Sequence, residues 1–284
     1  MKRFLGKVTV AMLLTLALGG AVVVASLLQA VEVLVPPSFS MSLATVQNVS
    51  AKAWLVFDLE TGQTLYSFNE NKSLPIASIT KLPAAKMMYE QGDIWATTMV
   101  SWADVAEEGR AGKLTAGETY LMHTLLFPLL LESSNDAAHV FLRTHPELVD
   151  EMNAYANHLG LTATTFADTS GLSDDNVSSA SDLRTVLRDM YEHSRQLIAI
   201  TTLPAYYSLD NGWLNNSPYI DIPEYRGGKH GYTYAAGYTA AVLFEEPLQN
   251  GSVRTLGYIL LGSGDLRLDM KLLRDHVQQH VRFE

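Results

Sequence analysis

The 284-residue chain contains no cysteine. That single absence excludes disulfides, thiolate metal ligands and a cysteine nucleophile together, so any nucleophile has to be an oxygen or an amine. Cations are scarce as well: 20 Lys and Arg against 30 Asp and Glu give a formal charge of -10, and no Lys/Arg-rich run follows the N-terminus. Nucleic acid is thereby set aside as the main partner, because phosphate contacts need clustered positive charge. Internal repeats and low-complexity tracts are also lacking. Apolar residues are plentiful: 48% of the chain is hydrophobic, enough for a real core in one large or two ordinary domains.

Lys2, Arg3 and Lys7 precede an uncharged run from Val8 to Val31, and no Lys or Arg recurs until Lys52. As a helix the run is long enough to cross a hydrocarbon core of about 30 Å. The cation asymmetry places the N-terminus in the cytoplasm and the rest of the chain beyond the membrane. With no clear A-x-A cleavage site, residues 1–36 read as an uncleaved signal-anchor helix in preference to a cleaved signal peptide, the alternative. The polar, proline-led stretch 37–50 reads as a linker and 51–284 as the globular domain.

That domain opens with two β-rich runs, Ala53 to Asp58 and Gln63 to Asn69, around Glu60-Thr61-Gly62, a hairpin. Helices are expected from Ser78 to about Tyr89, from Thr119 to Leu131, and from Asn135 to Arg143. A further one after Thr144-His145-Pro146-Glu147, in the form of a capping box, would stop at Gly160, and another runs from Ser181 to His193. Alternation marks strands at Gly237 to Phe244 and Val253 to Leu261, and an amphipathic helix from about Asp265 to Val281 closes the chain. Strands at both ends with helices grouped between them predict an α+β fold whose antiparallel sheet joins the N-terminal hairpin to the C-terminal strands, flanked by helices.

Ser78-Ile79-Thr80-Lys81 carries the chemistry. A hydroxyl and an amine three residues apart share one face of a helix's first turn, and serine needs an adjacent base to become a nucleophile. Lysine serves if burial or a second cation keeps it neutral. Pro83, lacking the N–H that would bond back to Ile79, is expected to loosen or kink that turn. Alone, S-x-x-K is a weak signal. Two more elements follow in order, Ser133-Ser134-Asn135 and Lys229-His230-Gly231. His276 and His280 have metal-ligand spacing but lack the glutamate of H-E-x-x-H, and read as an exposed helix face.

With Pro75-Ile76-Ala77, Gly171-Leu172, Asn176-Val177-Ser178 and Ala235-Ala236-Gly237-Tyr238, the three elements resemble the low-molecular-mass penicillin-binding proteins, the serine D-Ala-D-Ala carboxypeptidases and endopeptidases, from about Ala51 to Phe283. The resemblance implies the DD-peptidase/β-lactamase-like fold and hydrolysis of peptidoglycan stem peptides without metal or organic cofactor, with β-lactams as covalent inhibitors. It also implies roles. Ser78 would be acylated, Lys81 would take its proton, Ser133 would relay a proton to the leaving amine, and Asn135 would hold Lys81 and the substrate amide. Lys229 would attract the terminal carboxylate, Gly231 would let the strand approach, and the N–H groups of Ser78 and Tyr232 would form the oxyanion hole. His230 replaces the usual threonine, and Arg267 is the candidate for a further carboxylate-binding arginine. Segment Phe166 to Leu183 lies closer to the endopeptidase branch. The place implied is the cell membrane, with the catalytic domain on the extracytoplasmic side. A β-lactamase of the same fold lacks support because no E-x-x-x-N element follows Ser133, and a catalytically silent peptidoglycan-binding module is the other alternative.

Overall fold

The computed structural model describes residues 38–41, 45–106, 108–109, 112–208 and 211–283, and the backbone of four N-terminal strands. The chain divides into residues 1–40 with 283–284, and residues 41–282. In the first unit Lys7–Thr9 pairs with Ala30–Glu32, and Met12–Leu18 pairs antiparallel with Ala21–Leu27. The described residues of the segment expected to be an anchor helix are strands, the rest of it lies outside the described residues, and no described helix is long and apolar enough to cross a membrane. The sequence allows this alternative: Gly19-Gly20 interrupts the apolar run as a hairpin turn signal, and Val22, Val23 and Val24 favour extended backbone.

The second unit is built on a five-stranded antiparallel sheet. Its strands in chain order are β1 (Ala53–Asp58), β2 (Thr64–Phe68), β3 (Tyr225–Thr233), β4 (Gly237–Pro247) and β5 (Val253–Ser263), arranged in space as β3-β4-β5-β1-β2. The N-terminal hairpin therefore completes the sheet begun by the C-terminal strands, as expected. Its turn is closed by Asp58, whose carboxylate accepts from Thr61 N–H at 2.8 Å.

All six residues of β1 are buried, so both faces of the sheet are covered. Ala53, Leu55 and Phe57 join Ala241, Leu243, Ile259 and Leu261 in the core shared with the helices. The alternate residues Trp54, Val56, Val242, Phe244, Tyr258 and Leu260 are buried outside that cluster, on the opposite face. This two-residue period is what places one strand between two helical layers.

The helices are α1 (Lys81–Gln91), α2 (Met122–Phe127), α3 (Asn135–Thr144), α4 (Leu148–His158), α5 (Ala180–His193), α6 (Arg195–Ile200) and α7 (Leu266–His280). Side-chain oxygens of Ser134, Ser179 and Asp265 cap α3, α5 and α7. Two expectations are corrected. Thr144 hydroxyl donates back to Val140 O at 2.8 Å, ending α3 instead of capping α4. His276 is not on a bare surface: its ring packs edge-on to Tyr66, 4.7 Å between centroids, and stacks with His280 at 4.3 Å.

Candidate active site

Ser78 stands in a 3-10 turn, Ala77–Thr80, that leads into α1. Pro83 is the third residue of α1, where its missing N–H costs nothing because first-turn N–H groups have no intrahelical acceptor. The expected loosening takes the form of that 3-10 turn, one step earlier in the chain. Ala77 has φ 49°, a left-handed conformation, and sets the direction of the Ser78 turn. Two close approaches hold it there. A Cβ on Gly171 would fall 2.0 Å from Ala77 O, and one on Gly231 would fall 2.5 Å from Ser78 N. Only glycine lets the loop and the strand close on the nucleophile from two sides.

Met122 opens α2, which passes at Pro128 into a π-helical turn, Pro128–Glu132, in place of the single helix expected through Leu131. The wider turn ends on Ser133 at φ 63°, and Ser134 N–H closes it on Pro128 O at 3.0 Å. From this sharp corner Ser133 reaches the cleft and Asn135 starts α3. Lys229, His230, Gly231 and Tyr232 lie on β3, the edge strand of the sheet, beside the Ser78 turn. Thr239 of β4 fixes that turn from below, donating to Ile76 O at 2.9 Å.

Lys81 Nζ donates to Ser78 Oγ at 3.0 Å, to Asn135 Oδ1 at 2.8 Å and to Ser170 O. Asn135 is oriented in turn by Glu108 O, which accepts from its Nδ2. Lys81 is fully buried, and these three acceptors are neutral. Burial lowers its pKa to about 7, against the opposing influence of the Asp168 charge. A lysine that sheds its proton near neutrality, within hydrogen-bond reach of a serine hydroxyl, can act as a general base. Lys229 is also buried, with Nζ donating to His230 O at 2.8 Å.

Ser78, Ser133, Asn135, His230, Gly231 and Tyr232 line one cleft of about 340 Å³. Three short sequence elements separated by up to 150 residues therefore converge. Arg267 does not line it. That side chain borders a neighbouring depression, which shares His230 and Tyr238 with the cleft, and is paired with Asp221 at 3.0 Å. Sequence reasoning missed Asp168 and Ser170. Asp168 accepts from the N–H groups of Ser170, Gly171 and Ser173, shaping the loop that presents Ser170 O to Lys81. The signal was present as Asp168-Thr169-Ser170-Gly171, an Asx-turn pattern ahead of a glycine.

A buried lysine that gives up its proton near neutrality, set against a serine at the mouth of an α+β sheet, defines a serine acyl-transfer site. The family model described as D-alanyl-D-alanine carboxypeptidase matches residues 40–243, and the chain belongs to that family. A D-alanyl-D-alanine carboxypeptidase of Mycobacterium tuberculosis is 34% identical over 200 residues, 66% of this chain and 68% of the relative. A D-alanyl-D-alanine endopeptidase of Pseudomonas aeruginosa is 32% identical over 57% of this chain and 54% of its own length. Among solved structures, a D-alanyl-D-alanine carboxypeptidase from M. tuberculosis superposes with a TM-score of 0.74 at 27% identity, covering 82% of this chain and 92% of that one. Penicillin-binding protein D2 from Listeria monocytogenes, solved with cefotaxime bound, has the same fold at 24% identity and TM-score 0.70, over 82% and 98%.

Proposed function

We propose that the chain is a serine DD-peptidase that cleaves D-alanyl bonds in peptidoglycan stem peptides through an acyl-enzyme on Ser78. The observation that carries this reading is Lys81 Nζ at 3.0 Å from Ser78 Oγ, buried among neutral acceptors. Ser78 Oγ attacks the carbonyl between two D-alanines while its proton passes to Lys81. The oxyanion is held by the N–H groups of Ser78 and Tyr232, at a point where Gly231 lets β3 approach the Ser78 backbone. The leaving amine takes its proton by way of Ser133, and water then hydrolyses the ester. Asn135 keeps Lys81 aimed at Ser78, and Lys229 supplies the cation for the substrate's terminal carboxylate. His230 borders the cleft where a threonine is usual and offers a ring N–H in place of a hydroxyl.

β-Lactams acylate the same serine. A fluorescent penicillin therefore labels the wild-type chain, with the mass increase on the peptide bearing Ser78, and Ser78→Ala abolishes it; persistent labelling would mean another nucleophile. Products from a cross-linked muropeptide, read by mass spectrometry, separate removal of a terminal D-alanine from cleavage of the cross-link.

The N-terminal run attaches this enzyme to the cell membrane, with residues 51–284 on the extracytoplasmic side. What supports this is the uncharged run from Val8 to Val31 with Lys2, Arg3 and Lys7 before it and no further Lys or Arg until Lys52. Full-length protein should then resist alkaline carbonate extraction, and a chain starting at residue 45 should not.

A further inference from the structure

The mouth of the cleft carries aromatic rings that the acyl-transfer chemistry does not use. Tyr232 of β3 and Tyr238 of β4 are cross-strand partners, with ring centroids 4.7 Å apart and planes at 43°. Both line the cleft with Ser78, yet they remain 56% and 43% exposed. Tyr234, in the turn between the two strands, is 97% exposed. A ring so exposed buries almost nothing, so folding does not account for it.

The chemistry of this rim is narrow. From His230 to Phe244 the chain has no Asp, Glu, Lys or Arg, so the stretch that carries the three rings adds no fixed charge of its own beyond Lys229, which precedes it on β3. It presents flat apolar faces with hydroxyl edges. A pyranose ring presents the complement: one face of C–H groups above an aromatic plane, and hydroxyl or acetamido groups at its edge for a phenol. A peptide terminus, by contrast, would call for a charge. Tyr232 and Tyr238 also brace each other, so two side chains with few rotors lose little further freedom when a ligand settles on them.

We propose that Tyr232, Tyr234 and Tyr238 form a saccharide-stacking rim continuous with the catalytic cleft, which takes the amino sugar from which the stem peptide hangs. This rests on the reading of the chain as a DD-peptidase, and it makes glycan-linked peptide the preferred substrate over free peptide. Tyr238 and Tyr234 contribute through their rings, whereas the role assigned to Tyr232 in catalysis uses its backbone N–H alone.

The test compares kcat/KM for a stem pentapeptide and for the same peptide carried on its disaccharide. Wild type should prefer the glycan-linked form by about tenfold. The double variant Tyr234→Ala/Tyr238→Ala should bring the ratio to about one, and the Phe/Phe counterpart should keep most of it. Tyr234→Ala alone, at a position too exposed to disturb the fold, should lower the ratio by about threefold. No preference in wild type, or a preference intact in the Ala variants, overturns the proposal. If neither substrate is cleaved, the catalytic reading fails, and the rim is decided by NMR titration of the peptide-free disaccharide alone. Shifts in the Tyr234 and Tyr238 resonances that vanish in the Ala variants sustain it, and their absence at millimolar sugar overturns it.

Discussion

Lys81 in the cleft and three arginines elsewhere in the fold each meet buried polar groups, but groups of different kinds. Arg254 bonds to Asp58 at 2.8 Å, Arg274 to Glu246 at 2.5 Å, and Arg143 to Asp104 at 2.9 Å. Lys81 meets a hydroxyl, an amide oxygen and a backbone carbonyl. Burial acts on Asp104 to raise its pKa, but hydrogen bonds from Arg143, from Ser101 N–H and from His139 outweigh it and hold the carboxyl at about 2. At Lys81 nothing outweighs burial, and the pKa falls to about 7. The same protein thus fixes charge in one place and leaves a proton loosely held in another. The difference lies in whether a carboxylate is supplied at contact distance.

Supplying one should break the contrast. Asn135→Asp would set a carboxylate 2.8 Å from Lys81 Nζ and keep it protonated. Acylation by penicillin at pH 7 should fall about 50-fold, corresponding to a pKa raised by about two units. Stopped-flow acylation rates that recover between pH 9 and about 10 would show that the proton is responsible. A loss equal at every pH would point to damaged geometry instead.

Removing a partner tests the other side. Arg143→Leu leaves Asp104 buried with only His139 and the Ser101 turn to satisfy it, and should cost about 3 kcal/mol in urea unfolding. In the wild type, the stability that Asp104 contributes is present above its unfolded pKa of 3.8 and is lost as pH falls through about 2. That acid-limb loss should shrink in the variant. An unchanged unfolding midpoint would mean that the ion pair holds nothing together.

Much of this site was legible because the side chains that converge on the cleft are named by type and order. Ser78, Lys81, Ser133, Asn135 and Lys229, to which the proposal assigns the chemistry, can be read directly as letters, and the alternation of β4 and β5 placed the sheet. Backbone conformation was not legible. Nothing in the letter alanine announces φ 49° at Ala77, and nothing in Pro128-Leu129-Leu130-Leu131-Glu132 separates a π-helical turn from the α-helix its apolar run suggests. Arg267 looked available by position along the chain, but α7 carries it to Asp221. For the same reason Glu108 O and Ser170 O escaped notice: a backbone carbonyl has no sequence signature, and two of the four groups orienting Lys81 and Asn135 are of that kind.

The wild-type pH profile sharpens the comparison further. Lys81 must be neutral to accept the Ser78 proton, so acylation should fall about tenfold per pH unit below 7 and level off above it. Stability runs in the same direction. The folded pKa of Lys81 lies below its unfolded value of 10.5, so its burial cost is full below about 7 and disappears as pH rises through 10.5. A flat profile between pH 5 and about 8 would remove Lys81 from the role of base.

The smallest effect is the most specific. Among the described residues, Asp168 is the charge that acts against burial at Lys81, and its carboxylate also organises the loop that presents Ser170 O to Lys81. Asp168→Asn removes that charge, so the Lys81 pKa should drop below 7 and the acid limb of the acylation profile should move down by less than about one unit. The amide retains one oxygen for the Ser170 and Gly171 N–H groups but sets an NH2 against Ser173 N–H, so the plateau rate should fall as the loop loosens. The two consequences separate in one titration: the position of the limb reports the charge, and the height of the plateau reports the loop. A limb that stays in place while the plateau falls would show that Asp168 shapes the site without tuning its base.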